Sequence, residues 1–221
     1  MRGFPVGQAT RFTLRESVAE QIRGAIGDGS LGAGVHLAEV ELSESLGVSR
    51  ATLREALRQL QQEGLLAQDT RGRLTVRRVT AEEVGDLFEV RQSLEALAVQ
   101  RLCAKEDRAD DVAELRRRLE RLKVEIDLAT DLDADLDFHG TVCRLAGNEI
   151  LSSAWRSISG LIRITMITAG SAPARENITY ERHKPIVDLI EAGDADGALA
   201  YLRDHMESAA ATLVERMNEA A

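Results

Sequence analysis

The sequence predicts a mainly α protein with two parts: a small three-helix head that ends in a β-hairpin, and a larger helical bundle. Leu, Ala, Arg and Glu dominate the composition, and all four favour helices. Apolar residues recur at spacings of three and four along most of the chain, and two short apolar segments flank a glycine turn near residue 72. With 221 residues, 44% of them hydrophobic, the chain can bury one sizeable core or two small ones.

The distribution of charge indicates a boundary near residue 79. Residues 1–79 hold 11 basic and 9 acidic side chains, whereas residues 80–221 hold 17 basic and 28 acidic ones. A mildly basic head on an acidic body is typical of two domains, and the head can bind nucleic acid despite the net charge of −9. We therefore expect domains at residues 1–79 and 80–221.

The head begins with a capping box, because Thr13 supplies an N-cap hydroxyl and Glu16 follows three residues later. Apolar residues then recur every four positions, and the four glycines in residues 27–34 should end this first helix. A short second helix is expected over about residues 39–46.

A third helix and a hairpin complete the head. Gly47 breaks the chain after the second helix, and Ser49 can cap a third helix that runs to Gly64. The segments LLAQD and LTVRR flank residues 70–73, which predicts a hairpin. Three helices, a glycine turn before the third and a terminal hairpin make an N-terminal winged helix-turn-helix with a small β-hairpin wing.

This motif predicts binding to double-stranded DNA. The third helix enters the major groove, where its N-terminal side chains meet base edges and arginine can bind guanine through two hydrogen bonds. A row of arginines alone is more often a solvated helix face, but the three-helix context with turn and wing favours DNA. The expected DNA-binding residues are Ser49, Arg50, Thr52 and Arg54 on the third helix, and Arg71 and Arg73 on the wing.

The body is predicted to be a C-terminal all-α antiparallel bundle of about six helices. It begins with a second capping box at Thr80 and Glu83. A seam of apolar residues spaced three and four apart follows: Val112, Leu115, Leu119, Leu122 and Ile126. Further helices are expected over about residues 132–146, 148–169, 176–192 and 195–219.

Two pairs of polar side chains stand at spacings that bring them together in this bundle. Asp135 and His139 are four residues apart in a predicted helix, so their side chains lie on one side of it. His183 and His205 are each 11 residues from Asp194, which lies at the centre of a predicted helix–helix turn. Positions equidistant from such a turn face each other, so these two imidazoles should be adjacent.

Three imidazoles and one carboxylate are sufficient ligands for a divalent transition metal, with zinc preferred and nickel or manganese as alternatives. An Asp and a His four residues apart form a weak pattern, because a helical histidine is usually a packed or surface residue. Two independent pairings strengthen the prediction. Cys143, one turn beyond His139, is either a fifth ligand or, as we favour, a small apolar core residue.

Arg91 falls at an inward position of the first body helix, in line with apolar residues. Either it forms an ion pair with Glu95 one turn later, or its guanidinium is held for the carboxylate of a small effector, and both can be true. Arg163, in the segment LIRITMI, is a second candidate for the effector cavity, with surface exposure as the alternative.

Residues 40–66, VELSESLGVSRATLREALRQLQQEGLL, resemble the helix-turn-helix of GntR-type bacterial transcription regulators. The match consists of an L-G-V-S-R turn, then L-R-E-A-L, then an E-G-L exit into the wing. The resemblance implies that Arg50, Thr52 and Arg54 read bases or phosphates, with Ser49 assisting.

The segments DLDFHGTVCRLAGNEIL and ERHKPIVDLIEAGDADGALAYLRDHM resemble the FCD effector domain, the helical ligand-binding domain of the FadR branch of this family. A count of six helices would resemble the VanR-type subgroup. In metal-binding members an Asp, a His one turn later and two further His on the last two helices hold the ion, which implies Asp135, His139, His183 and His205 here. The resemblance also implies that the ion anchors a small organic acid, with Arg91 or Arg163 nearby.

The sequence thus predicts a ligand-responsive, sequence-specific regulator of transcription, more commonly a repressor, that binds a palindromic operator as a homodimer. A sensor in which the metal ion is the signal is one alternative. A metal-dependent hydrolase is the other; no second motif supplies its general base, so we do not expect an enzyme. The lack of a long apolar segment predicts no signal peptide and no membrane partner, and two cysteines fit a reducing cytoplasm.

Overall fold

The computed structural model of the protein describes residues 13–124 and 126–219. The expectation that the chain has no signal peptide concerns residues 1–12, which lie outside the described residues. Among the described residues, no helix combines the length and the apolar character needed to cross a membrane.

The head is a winged helix-turn-helix, as the sequence predicts. It consists of α1 (Leu14–Gly27), α2 (Glu39–Ser45), α3 (Arg50–Gln62), β1 (Leu66–Gln68) and β2 (Leu74–Val76). The two strands pair antiparallel, with Leu66 opposite Val76. Helix α1 packs against α3, and the buried leucines of α3 form the centre of the head.

Local hydrogen bonds explain where the helices of the head begin. The Thr13 hydroxyl accepts the Glu16 backbone N–H at 3.3 Å, and the Glu16 carboxylate accepts the Thr13 N–H at 2.7 Å. The Ser49 hydroxyl accepts the Thr52 N–H at 3.1 Å and so begins α3. Gly47 has a φ of +63°, which glycine adopts without strain in the turn between α2 and α3. Both predicted caps of the head are therefore confirmed.

The body contains seven α-helices within the described part of the chain. They are α4 (Ala81–Cys103), α5 (Ala109–Glu120), α6 (Leu128–Leu145), α7 (Glu149–Thr168), α8 (Ser171–Asn177), α9 (Tyr180–Ala192) and α10 (Ala195–Glu219). The sequence indicated about six, because it left residues 170–175 outside any helix, and most of α8 lies there. The helix number therefore gives no support for the VanR-type subgroup.

The predicted seam of the body holds for its first part. Val112, Leu115 and Leu119 are buried, but Ile126 is 65% exposed. Helix α5 ends at Glu120 and is followed by a 3-10 turn, so the helical spacing no longer applies to Ile126. The inclusion of Ile126 in the seam was therefore wrong.

Helices α4, α6, α9 and α10 enclose the centre of the bundle. Helix α4 packs along α10 and also contacts α6 and α9. Helices α9 and α10 are joined by a short turn at Gly193, whose φ of +71° suits glycine. This turn places α9 and α10 side by side. The second predicted capping box, Thr80 and Glu83, is present at the beginning of α4.

The head rests on the body through α7. A Cβ atom built at Gly160 would lie only 2.4 Å from the backbone oxygen of Glu63, the C-cap residue of α3. Helix α1 also contacts α6 and α7. The C-terminal end of α3 is therefore in direct contact with the bundle.

Candidate metal centre and nucleic-acid interface

Three buried histidines meet in the centre of the bundle. One ring nitrogen each of His139 on α6, His183 on α9 and His205 on α10 lies within 4.8 Å of the other two. The ring centroids of His183 and His205 are 4.8 Å apart, which confirms that they face each other across the α9–α10 turn. Each of the three residues is at most 6% exposed.

Asp135 joins this cluster from one turn before His139 on α6. Its Oδ1 atom lies 3.0 Å from His183 Nε2 and 3.7 Å from His139 Nε2. The side chain is buried, and its Oδ2 has no hydrogen-bond partner among the described residues. The structure therefore brings the four predicted ligands to one place, with Asp135 in contact with two of the histidines.

The hydrogen bonds around the cluster assign the protons of two imidazoles. His139 Nδ1 lies 2.5 Å from the Glu95 carboxylate, and His183 Nδ1 lies 2.7 Å from the Thr179 carbonyl. Carboxylate and carbonyl oxygens only accept hydrogen bonds, so each Nδ1 carries a proton and donates it. Each Nε2 atom of a neutral ring then presents a lone pair toward the centre.

When both rings are neutral with their protons on Nδ1, these lone pairs converge without a donor between them. His139 Nε2 and His183 Nε2 are 3.0 Å apart, and the Asp135 carboxylate lies beside both. Acceptors that face one another in a buried place repel unless a cation, either a metal ion or a proton, lies among them. The donor set, three imidazoles and one carboxylate, fits a divalent transition metal.

A second buried layer supports the cluster. The Arg91 Nε atom donates to Glu95 Oε1 at 2.9 Å, and the Trp155 indole N–H donates to the same oxygen at 3.2 Å. The ion pair expected between Arg91 and Glu95 is therefore present. The Arg91 Nη2 atom lies 3.9 Å from Asp135 Oδ2 and has no hydrogen-bond partner among the described residues, so part of this guanidinium stays free.

The electrostatics keep both carboxylates of the centre ionised. Burial would raise the pKa of Glu95, but His139 and Arg91 outweigh burial and lower the pKa to about 2. Burial likewise opposes the effects of His139, His183 and Arg91 on Asp135, whose pKa is also lowered to about 2. Arg91 keeps its positive charge at any pH of interest, so it lowers the pKa of both carboxylates whatever the protonation of the histidines.

Burial has the opposite effect on the imidazoles. It lowers the pKa of His139, although Glu95 counteracts this, and it lowers the pKa of His205 well below the ordinary value. Both rings are therefore neutral near pH 7, which is the protonation state that a metal ligand requires.

The predicted DNA-binding arginines are exposed on two elements of the head. Arg50 and Arg54 are exposed on the first turns of α3, and Arg71 and Arg73 are exposed on the β1–β2 hairpin. Arg54 Nε donates to Glu39 at 2.7 Å, and Arg73 Nε donates to Asp69 at 2.8 Å. These two arginines are thus held by neighbouring carboxylates.

Comparison with known proteins agrees with both halves of the chain. Residues 14–79 match the family described as bacterial regulatory proteins, gntR family, and residues 86–208 match the FCD domain. The chain belongs to the GntR family and carries an FCD domain. The family consists of transcriptional regulators and not of enzymes, as expected.

Relatives of this GntR-family chain are similar over most of their length. The probable D-xylose utilization operon transcriptional repressor of Paenarthrobacter nicotinovorans is 30% identical over 89% of this chain and 87% of its own. The Nta operon transcriptional regulator of Aminobacter aminovorans is 33% identical over 79% of this chain and 82% of its own. The crystal structure of a GntR protein from Rhodococcus sp. RHA1 is 30% identical and covers 91% of this chain and 97% of that one, with a TM-score of 0.76.

Two residues considered from the sequence lie outside the histidine cluster. Cys143 is 1% exposed and packs in the hydrophobic core, and burial raises the pKa of its thiol. Arg163 is buried too, but it forms an ion pair with Asp133 and lies close to Gly27 of the head. Arg163 therefore lies at the boundary between the domains, and because its side chain is buried, the alternative of surface exposure is wrong. Its role toward an effector stays a prediction.

The contact of Glu95 with His139 was not predicted from the sequence. Glu95 was considered only as an ion-pair partner for Arg91, whereas its second oxygen holds His139. The signal was present in part, because Glu95 occupies the same inward face of α4 one turn after Arg91. The contact itself joins α4 to α6, and no spacing along the sequence predicts it.

Proposed function

We propose that this GntR-family regulator binds a divalent transition metal through Asp135, His139, His183 and His205, and a small carboxylate effector beside the ion. Binding in the FCD domain would change the affinity of a homodimer for a palindromic operator, most simply as a repressor. The main observation behind this proposal is that His139 Nε2, His183 Nε2 and the Asp135 carboxylate face one another in the centre of the bundle.

The proposed ligands come from three separate helices, α6, α9 and α10. A cation held among them would therefore tie these helices together as well as neutralise the facing acceptors. When bound, the ion supplies positive charge and open coordination positions for an anion. The imidazole-rich set suits zinc, with nickel or manganese as alternatives.

Charge favours an anionic effector. Glu95 and Asp135 are ionised and Arg91 is cationic, so the protein groups alone leave one negative charge, which a divalent ion converts to a net positive one. The free Nη2 atom of Arg91 is placed to hold a carboxylate oxygen.

A cavity next to the centre offers a place for such a molecule. It has a volume of about 170 Å³, and its lining includes Thr179, whose carbonyl oxygen holds His183. Three cationic side chains, Arg121, Lys123 and Arg175, and two carboxylates, Asp131 and Glu181, also line it, so its lining carries a net positive charge of one. Arg91 is not among the lining residues, so the cavity and Arg91 are separate supports for a carboxylate ligand.

The metal proposal is tested by elemental analysis and native mass spectrometry of the purified full chain. We expect about one divalent ion per subunit, a dimeric mass and any retained organic acid. His205→Ala should lose the ion, whereas the control His36→Ala, which removes an exposed imidazole of the head, should keep it. Wild-type protein that takes up no divalent ion when it is supplied would refute the proposal.

The DNA proposal is tested with fluorescence anisotropy on a palindromic operator. Arg54→Ala should weaken binding by about 1–3 kcal/mol, roughly 5- to 150-fold. The matched control is Arg58→Ala, one turn further along α3, where the exposed arginine is paired with Glu55. Equal effects of the two variants would contradict the placement of the α3 N-terminus in the major groove.

The same assay separates an organic-acid regulator from a metal sensor. Chelation and re-addition of zinc or nickel, with no organic ligand present, should leave operator affinity largely unchanged if the carboxylate is the signal. A full switch of DNA binding by the ion alone would show that the ion is the signal.

A further inference from the structure

We propose that Glu95 is a positioning residue for the metal centre, which fixes His139 as its most rigid ligand. This inference rests on the proposed metal site and adds to it a residue on a fourth helix, α4. Glu95 would not touch the ion. It would act by holding the His139 ring so that Nε2 always faces the centre.

The first observation is the number of donors that meet on this one carboxylate. Its Oε2 lies 2.5 Å from His139 Nδ1, and its Oε1 accepts from Arg91 Nε at 2.9 Å and Trp155 Nε1 at 3.2 Å. Glu95 is 1% exposed, so water does not compete for these bonds. Arg91 and Trp155 fix the carboxylate, and the fixed carboxylate in turn fixes the imidazole.

The second observation is that the three histidines are supported unequally. His139 is held by an ionised carboxylate, His183 by the neutral backbone carbonyl of Thr179, and His205 Nδ1 by no hydrogen-bond partner among the described residues. Hydrogen bonds to charged acceptors are roughly twice as strong as those between neutral groups. His139 is therefore the ligand with the best-defined orientation, and His205 is the one that turns most freely.

The third observation is that only an acceptor fits this position. All three partners of Glu95 are donors, and an amide in its place would point an NH₂ group at one or more of them. Without a charged acceptor on Nδ1, the His139 proton can move to Nε2, which removes the lone pair that faces His183. The same shape with an amide should therefore bind metal less well.

The experiment compares Glu95→Gln with Glu89→Gln, which makes the same chemical change at an exposed position of α4. Zinc affinity of the full chain is measured by competition with a chromogenic chelator. We expect Glu95→Gln to bind zinc about 10- to 100-fold more weakly than wild type, as for other partners of metal-bound histidines. Glu89→Gln should stay within about twofold, since its side chain is remote from the centre.

A second measurement reads the position of the proton directly, without metal. Long-range ¹H–¹⁵N spectra of the wild-type protein, with zinc removed, should show His139 protonated at Nδ1. The same spectra of Glu95→Gln should show partial or full protonation at Nε2. If Glu95→Gln does not fold, the wild-type spectrum decides, because an Nε2-protonated His139 would overturn the inference.

The outcomes separate this inference from the proposed function. Wild-type protein that binds no zinc would refute the proposed function, and the positioning role would be lost with it. Wild-type protein that binds zinc, together with a Glu95→Gln variant of equal affinity, would overturn the positioning role alone.

Discussion

The contact between the DNA-reading head and the bundle can be tested by adding one methyl group at Gly160. A Cβ atom at this position would lie 2.4 Å from the Glu63 carbonyl oxygen, and real Cβ atoms essentially never approach within 3.0 Å. The obstacle is backbone rather than a flexible side chain. Because Glu63 is the C-cap of α3, relief of the clash must shift the end of the recognition helix or separate the two domains.

The size of the effect follows from two opposing contributions. Replacing glycine by alanine inside a helix stabilises it by about 1 kcal/mol. Overpacking a close contact typically costs about 1–3 kcal/mol. The control is Gly85→Ala in α4, where a Cβ would meet nothing within 4 Å, so only the favourable contribution applies. Gly160→Ala should therefore be about 1–3 kcal/mol less stable than Gly85→Ala, a difference of roughly 2–12 °C in Tm for a chain of this size.

Differential scanning calorimetry of the two variants measures this difference, and operator binding of the same samples shows whether the head has moved. We expect Gly85→Ala to raise Tm by about 2–4 °C and to leave operator affinity unchanged. If Gly160→Ala raises Tm by the same amount, the head does not contact α7 in solution, and the reasoning fails.

Three further predictions concern single side chains. The pKa of Glu83 is lowered because its carboxylate accepts the Thr80 backbone N–H, so its contribution to stability is present above the ordinary pKa of 4.5 and is lost as the pH falls. Urea unfolding at several pH values should show a flatter pH dependence for Glu83→Gln between about pH 5 and 3, and identical slopes would contradict this. Arg71→Ala should reduce the slope of log K against log salt for operator binding by about 1 if Arg71 contacts a phosphate, and an unchanged slope would exclude that contact. Trp155→Phe removes one donor to Glu95 and should lower the free energy of unfolding by about 0.5–1.5 kcal/mol in chemical denaturation, while no change would mean that the indole bond contributes nothing.

The sequence alone determined the features that depend on local geometry. Hydroxyl and carboxylate pairs at Thr13 and Thr80 identify helix starts, because a capping box needs only residues three apart. The pairing of His183 with His205 could be predicted for a similar reason. When two antiparallel helices are joined by a short turn, residues at the same distance from the turn lie next to each other. The turn at Gly193 is short, and His183 and His205 are adjacent.

Features without a local signal were harder to predict. Helix α8 was not predicted because its N-cap residue, Gly170, has no side chain that could cap a helix. The neighbours of Arg163 could not be predicted either, because an arginine among apolar residues gives no indication of which element its helix will meet. Its partner, Asp133, comes from α6, and its surroundings include the head.

Only the tertiary structure decided how the helices support one another around the centre. The bond from Glu95 to His139 joins residues 44 apart in sequence, and the bond from Trp155 to Glu95 joins residues 60 apart. The contact of Gly160 with Glu63 likewise joins different domains. Periodicity determines which face of a helix is buried, but it does not determine which helix covers that face. The choice of partner depends on the packing of the whole bundle, and so the clustering of the four side chains could be predicted from the sequence while their support could not.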